Sequence, residues 1–280
     1  MRCGRTGFLF LLFGLWPLLA PAAQEVSRPE ALQPAAWHRA VEIVDGDTLL
    51  LDSGREVRLV GLQAPKLPLG RRGFKTWPLA EEAKAALADL ALERRLGLSF
   101  TGRREDRHGR WLAHLEREDG IWIQGELLQR GLARVYAFAD NRALVAEMLV
   151  LERQARRDGR GIWGHPFYAL RRPAEAGAHL SSFQLVEGRV LDAAKVRGRV
   201  YLNFGADWKT DFTVSIDRKA WRLFEQAGLG LEDFEGRPIR VRGWLKSLNG
   251  PMIVATHPEQ IERLTAESLE LPLETAGEDR

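Results

Sequence analysis

The chain has 280 residues, 45% of them apolar and 28% charged, which excludes wholesale disorder and leaves room for one large core or two modest ones. Its single cysteine, Cys3, excludes a disulfide framework and any cysteine-built metal site in the remainder. A formal net charge of +3 is too small to mark a nucleic-acid binder by itself.

Arg2 and Arg5 precede an apolar run from Phe8 to Ala20, and Ala20-Pro21-Ala22 supplies small residues for cleavage. This is the layout of a secretory signal peptide, expected over residues 1–22. The run is short of the roughly 20 residues that a spanning helix needs, and no later stretch approaches it. The expected mature protein is therefore secreted or periplasmic and has no spanning segment. Loss of Arg2 and Arg5 takes the 41 basic residues to 39 against 38 acidic ones, a charge of about +1.

Residues 23–37 contain Pro and Ala without periodicity and read as a linker. From Val41 to Leu51 the pattern is β-like, broken at Asp45-Gly46-Asp47, and Ser53-Gly54 turns the chain into a partner strand, Glu56 to Leu62. Residues 63–76 hold Pro65, Pro68, Gly70 and Gly73 and form a loop. Leu79, Ala83, Leu87 and Leu90 recur at helical spacing, predicting a helix from Pro78 to Leu92. Leu96, Leu98 and Phe100 alternate as a strand, and Arg110 to Leu115 alternates again after His108-Gly109. A second helix spans Ile123 to Gln129 before Gly131, and a third carries Leu144, Met148, Leu151 and Ala155 on one face before Gly159 and Gly161 stop it. This order suits a five-stranded Greek-key barrel of the oligonucleotide-binding kind over residues 38–170.

Residues 171–182 read as a second linker. Phe183 to Ala193, Gly198 to Phe204 and Phe212 to Ile216 are strands, followed by a helix from Arg218 to Ala227. Pro238 to Leu245 and Pro251 to Thr256 flank the hairpin signal Asn249-Gly250. A second, small oligonucleotide-binding-type barrel is expected over residues 183–264, then an acidic frayed tail, 265–280. The fold class is mainly β with helices, an α+β protein.

Asp45-Gly46-Asp47-Thr48 sits at a strand break, with Arg58 on the neighbouring strand. Carboxylates hold hard cations and guanidinium groups grip phosphate, although an Asp-Gly-Asp turn alone is also ordinary hairpin chemistry. Two arginine clusters stand out: Arg94, Arg95, Arg103, Arg104, Arg107 and Arg110, then Arg153, Arg156, Arg157, Arg160, Arg171 and Arg172. Such runs serve either as solvated faces or as anion-binding surfaces. In the C-terminal unit Tyr201, Phe204, Trp208 and Trp244 lie among cations and are candidates for stacking nucleobases, with a core role as the alternative.

Asp45-Gly46-Asp47-Thr48, Arg58 to Pro65, Asp106-Arg107-His108-Gly109-Arg110, Gly125 to Val135 and Gly161-Ile162-Trp163 together resemble the thermonuclease (staphylococcal nuclease) family in order and spacing, over about 130 residues. The resemblance implies a nucleic-acid phosphodiester hydrolase acting on DNA or RNA with a calcium ion. It assigns Asp47 as a calcium ligand, Asp45 as an outer-shell acid, and Arg58 and Arg110 as catalytic arginines that hold the phosphate and stabilise its transition state. The family's second metal ligand and its general-base glutamate fall at Gln63 and Lys66. Both acids are missing here. Calcium wants six to eight oxygens, and a protonated lysine offers none. The expectation is a depleted calcium site, with another divalent metal or none, Lys66 paired with Asp47, and weak or altered hydrolysis. His108 is the candidate auxiliary base, against a plain role in the surface turn. Glu81 and Glu82, at the start of the first helix, read as partners of its dipole. A non-catalytic module that keeps the phosphate pocket and binds nucleic acid or protein is the second functional reading.

Overall fold

A computed structural model describes residues 25–270; the expected signal peptide and residues 271–280 of the acidic tail lie outside the described residues. The first unit comprises β1 (Ala36–Asp45), β2 (Thr48–Leu51), β3 (Glu56–Leu59), β4 (Leu62–Gln63), α1 (Ala80–Ala91), β5 (Arg95–Ser99), β6 (Trp111–Arg117), α2 (Ile123–Gln129), β7 (Arg134–Val135) and α3 (Val145–Arg157). Strands β1-β2-β3-β6-β5 close into a barrel, and only the β3–β6 contact within it is parallel. Period-two patterning dictates this closure. In β3, Val57 and Leu59 are buried while Glu56 and Arg58 face outward. Leu49, Leu51, Leu96, Leu98, Ala113 and Leu115 fill the interior with them, and the apolar stripes of α1 and α3, including Leu87, Leu90 and Met148, pack on the outside of the same core. Each fully buried leucine here contributes about 1.5–3 kcal/mol.

One glycine fixes how α1 meets the barrel. A Cβ on Gly46 would lie 2.7 Å from Ala83 Cβ and 2.8 Å from Ala64 Cβ, so only glycine lets the Asp-Gly-Asp turn seat against the helix. A second glycine splits the expected Glu56–Leu62 strand. Gly61 has φ of 84°, which ends β3 and redirects the chain into β4, whose partner is the two-residue β7.

The C-terminal unit contains β8 (Phe183–Arg189), β9 (Asp192–Val196), β10 (Arg199–Asn203), β11 (Thr213–Ile216), α4 (Arg218–Gln226), β12 (Pro238–Ser247), β13 (Pro251–Ala255) and β14 (Ile261–Arg263). Its strands form one seven-stranded sheet, ordered β14-β12-β13-β11-β10-β9 with β8 also on β12; this is a sheet, not the closed ring of the first unit. The strand expected from Phe183 to Ala193 breaks at Val190-Leu191 into β8 and β9. Asn249 and Gly250 both take positive φ, as a tight hairpin between β12 and β13 requires. Asp217 caps α4 by accepting the Ala220 N–H at 2.8 Å, and the helix buries Trp221 and Phe224 against the sheet.

Three segments expected to be loose are packed. In the first expected linker, Leu32 is buried in the barrel core and the Val26 amide donates to Glu126 Oε1 at 2.6 Å. In the second, Pro173–His179 forms a 3-10 turn that buries Ala176 in the C-terminal core. At the start of the expected tail, Glu270 accepts from Arg156 Nε at 2.8 Å and its amide donates to Glu187 at 2.9 Å. Charge, not apolar content, docks this last segment.

The two units meet through buried ions. Arg242 of β12 gives Nη1 to Glu152 Oε2 of α3 at 2.9 Å, and Nη2 to Glu152 Oε1 at 2.8 Å and to Glu262 Oε1 at 2.6 Å. Arg156 reaches the same Glu152 at 2.8 Å, and nearer the surface the partly exposed Arg142 binds Glu259 bidentately. Burial opposes ionisation of Glu262, but Arg242 and Arg240 outweigh it and hold the carboxyl down at about 2. Within the second arginine cluster, then, Arg153 and Arg156 serve the junction between units.

Candidate nucleic-acid cleft

Asp45 ends β1 and Asp47 follows two residues later, so the turn between β1 and β2 carries both carboxylates, with Gly46 between them seated against Ala83 of α1. Asp45 Oδ1 accepts the Asp47 N–H at 3.0 Å, and Asp47 receives Thr48 Oγ1 at 3.1 Å and the Ala64 N–H at 3.0 Å. Lys66 completes the group. Its Nζ lies 2.6 Å and 2.7 Å from the two oxygens of Asp47 and 3.2 Å from Asp45 Oδ2. Every carboxylate oxygen of the pair thus has a protein donor. Desolvation pushes the wholly buried Asp47 up, but the charges of Lys66 and Arg58 and the donated hydrogen bonds bring it well below the ordinary carboxylate range. Asp45 moves the other way: burial and the neighbouring Asp47 charge raise it, against Lys66.

Gln63 does not turn to this group. It faces Arg134 across the β4–β7 pair, and its Oε1 accepts from Arg134 Nε at 3.1 Å and Nη2 at 2.8 Å. Arg134 is itself buried and gives Nη1 to the Phe183 carbonyl at 3.2 Å, with its guanidinium 4.5 Å from the Phe183 ring centre. Burial lowers this guanidinium to about 10. Gln63 is therefore a neutral acceptor for an arginine that reaches the C-terminal unit.

Arg58 and Arg110 line one cleft of about 420 Å³, together with Gln63, Arg103, Arg107 and His108. Arg58 Nη2 stands 3.9 Å from Asp47 Oδ2, linking the cleft to the carboxylate pair. Arg110 already has a counterion: Asp106 Oδ2 accepts its Nη2 at 2.7 Å and its Nε at 2.8 Å. Partial desolvation raises Asp106, but the Arg110 bonds and the His108 and Arg110 amides outweigh it and leave the carboxyl lowered. His108 is exposed at the turn and its Nε2 contacts Arg107 Nε at 3.1 Å. Glu81 and Glu82 are exposed in the first turn of α1. Of the first arginine cluster, Arg103, Arg107 and Arg110 face the cleft, whereas Arg94 and Arg95 border a different hollow of about 590 Å³ beside Trp37. Charges around that larger hollow pair with one another, Arg39 with Glu93 and Arg95 with Glu118, so its size does not make it the better anion site.

Sequence reasoning missed three residues of the cleft lining: Tyr136, Phe138 and Asn141. The alternation Tyr136-Ala137-Phe138 just after the quoted Gly125–Val135 motif is the signal that could have found the first two. The four C-terminal aromatics do not share one face. Phe204 is buried against Phe212 with ring centres 4.9 Å apart, so it belongs to the core and is not a base-stacking residue. Tyr201 is half-buried on β10, and Trp208 lies exposed in a turn with Lys209 Nζ 5.7 Å from its ring centre. Trp244 alone reaches the cleft residues, donating Nε1 to Tyr136 OH at 3.0 Å.

Residues 56–165 match the model of the family described as Staphylococcal nuclease homologue. The chain is 32% identical over 143 residues to Protein ParB of Escherichia coli, covering 45% of this chain and 71% of that one. It is 29% identical over 147 residues to a rice (Oryza sativa subsp. japonica) protein named "Probable staphylococcal-like nuclease CAN1", covering 51% of this chain and 40% of the rice protein. It is 28% identical over 128 residues to a protein of Escherichia coli O157:H7 named "Uncharacterized endonuclease", covering 45% of this chain and 75% of that one.

Proposed function

The chain belongs to the family of staphylococcal nuclease homologues, and we propose that it binds nucleic-acid phosphodiesters between Arg58 and Arg110 without calcium, with weak or altered hydrolysis. The observation that carries this reading is the Lys66 ammonium, 2.6 Å and 2.7 Å from both oxygens of Asp47. The donor set does not fit calcium. Asp47 and Asp45 are held by that ammonium, Gln63 Oε1 is held by Arg134, and among the described residues no group of three or more His, Cys, Asp or Glu side chains is disposed to hold a metal. A dication entering here would face Lys66 and Arg58 together, and each pair of unit charges about 6 Å apart opposes it by roughly 3 kcal/mol at an effective dielectric near 20.

What this chain's residues do is bind and orient. Arg58 and Arg110 present guanidinium groups to a phosphate, and charge developing on its oxygens is stabilised by cations already in place. Lys66 replaces the acid at that point of the chain; of the other titratable groups on the cleft wall, Asp106 and Asp140 pair with Arg110 and Arg103, which leaves His108 as the imidazole there. Weak hydrolysis follows. Among the described residues no helix is long and apolar enough to cross a membrane, and export through residues 1–22 is part of the same proposal.

The test is labelled single-stranded DNA and RNA incubated with the mature protein in Ca²⁺, Mg²⁺, Mn²⁺ and chelator. Binding that persists in chelator and is lost in Arg58→Ala and Arg110→Ala supports the reading. Efficient calcium-dependent cleavage abolished by Asp47→Ala overturns it.

A further inference from the structure

We propose that the C-terminal unit extends the cleft, so that single-stranded nucleic acid held at Arg58 and Arg110 runs along a ledge of Phe138, Tyr136 and Trp244 onto strand β12. This rests on the reading of the cleft as a phosphodiester site and adds a second unit to it. Tyr136 and Phe138 are cleft-wall residues whose rings meet edge to face, 5.0 Å between centres. The Tyr136 hydroxyl accepts the Trp244 indole N–H at 3.0 Å, and Trp244 stands on β12 of the C-terminal unit. Phe138 is 52% exposed and Trp244 43% exposed, while Gly243 and Leu245, either side of Trp244, are buried. Lys246, two residues on and therefore on the same strand face, is exposed as well.

A lone exposed aromatic needs no explanation. Three in contact, beginning in a cleft lined by Arg103, Arg107 and Arg110 and leading towards Lys246, match what single strands require: flat faces for bases beside cations for phosphates. The ledge is also rigid across the boundary between units. The Tyr136 N–H is held by Gly61 O at 2.8 Å, its ring packs on Phe183 at 4.9 Å, and the Arg242–Glu152 pair ties β12 to α3. Stacking on such a ledge is tolerant of base identity, so the substrate class is single-stranded nucleic acid without strong sequence preference.

Two probes separate the ledge from the pocket: adenosine 3′,5′-bisphosphate, which fills the pocket alone, and an oligodeoxythymidine of about 12 nucleotides, long enough to leave it. Both are titrated against the full chain in chelator, as wild type, Arg58→Ala, Trp244→Ala and Trp244→Phe. Trp244→Ala is expected to weaken the oligonucleotide about tenfold and to leave the bisphosphate within about twofold, with Trp244→Phe recovering most of the loss because it restores a ring without the hydrogen bond. Arg58→Ala is expected to weaken both probes. An unchanged oligonucleotide affinity in Trp244→Ala, with Arg58→Ala still damaging, overturns the ledge and spares the pocket. Equal loss of both probes in Trp244→Ala also overturns it, since Trp244 then acts only by positioning Tyr136. If Arg58→Ala changes neither probe, the pocket reading itself fails.

Discussion

Lys66 Nζ lies 2.6 Å from Asp47 Oδ2 while the Ala64 amide donates to the same oxygen at 3.0 Å, so the segment that carries the lysine also wraps the carboxylate. The ammonium is a built-in counterion. It cannot leave without exposing two buried acids to each other, and it cannot stay if a metal is to reach them.

Lys66→Ala tests that statement directly. Removing one partner of a buried charge pair costs about 3 kcal/mol, somewhat relieved here because burial and the Asp47 charge already raise the Asp45 carboxyl. The variant should melt earlier than wild type, and calcium should raise its melting temperature because the carboxylates then lack a cation. A calcium titration followed by thermal melting checks this. The same calcium response in wild type and variant would mean that Lys66 does not guard the pair.

Gln63→Asp, by contrast, should not create a calcium ligand by itself. Arg134 Nε and Nη2 already hold the Gln63 oxygen, and a carboxylate at that place would pair with this buried arginine. Calorimetry should find no gain in calcium affinity from Gln63→Asp alone and at least a tenfold gain, about 1.4 kcal/mol, from the double change with Lys66→Glu. A single-variant gain as large as that of the double variant would show that Gln63 faces the metal position after all.

Asp106→Asn should strengthen phosphate binding. Asp106 neutralises Arg110 at 2.7 Å, and a phosphate must share or displace that contact. The amide retains an acceptor for the His108 and Arg110 N–H groups, so the turn persists while the competing charge is lost. Bisphosphate affinity is expected to rise about threefold to tenfold, about 0.6–1.4 kcal/mol, less than a whole charge-assisted hydrogen bond because the phosphate shares the Arg110 guanidinium with the remaining amide. A fall in affinity would mean that Asp106 orients Arg110 more than it competes for it.

These outcomes separate what the sequence reveals from what it conceals. The contact of Lys66 with Asp47 is legible because both residues sit in motifs at fixed offsets on strands whose alternation is clear, as in Val57 and Leu59 of β3. The grip of Arg134 on Gln63 is not legible, since it depends on two two-residue strands 71 positions apart that carry no periodic signal of their own. Trp244 is visible only as an aromatic among cations; its partner Tyr136 lies 108 positions away in the other unit. For Phe204 the signal was present. Val200 and Leu202 are buried on β10, so the same phase puts Phe204 inside. The short segment up to Glu270 reads as an acidic tail because its anchor is an ion pair with Arg156, and composition does not reveal ion pairs.

Stability should decline in mild acid. Burial holds His114 and His257 down at about 4, against an ordinary value of 6.5; around His257, Glu259 opposes this and Arg142 and Arg242 add to it. With folded values below unfolded ones, the unfolded chain binds more protons between pH 6.5 and 4. Stability is therefore full above 6.5 and falls as pH drops towards 4, by up to about 1.4 kcal/mol per pH unit for each histidine. Glu262, held at about 2, extends the loss further as pH falls below 4.5. Denaturant melts across this range check the slope; a flat profile between 6.5 and 4 would contradict the burial of both imidazoles.

The central claim, a phosphate pocket that works without calcium because Lys66 occupies the carboxylates, is tested most directly by one calorimetric comparison. Adenosine 3′,5′-bisphosphate is titrated into the wild-type chain once in chelator and once in saturating calcium. Equal affinity in both, within about twofold, is the predicted result; affinity at least tenfold higher in calcium, about 1.4 kcal/mol, would contradict it, because the metal would then be part of the site.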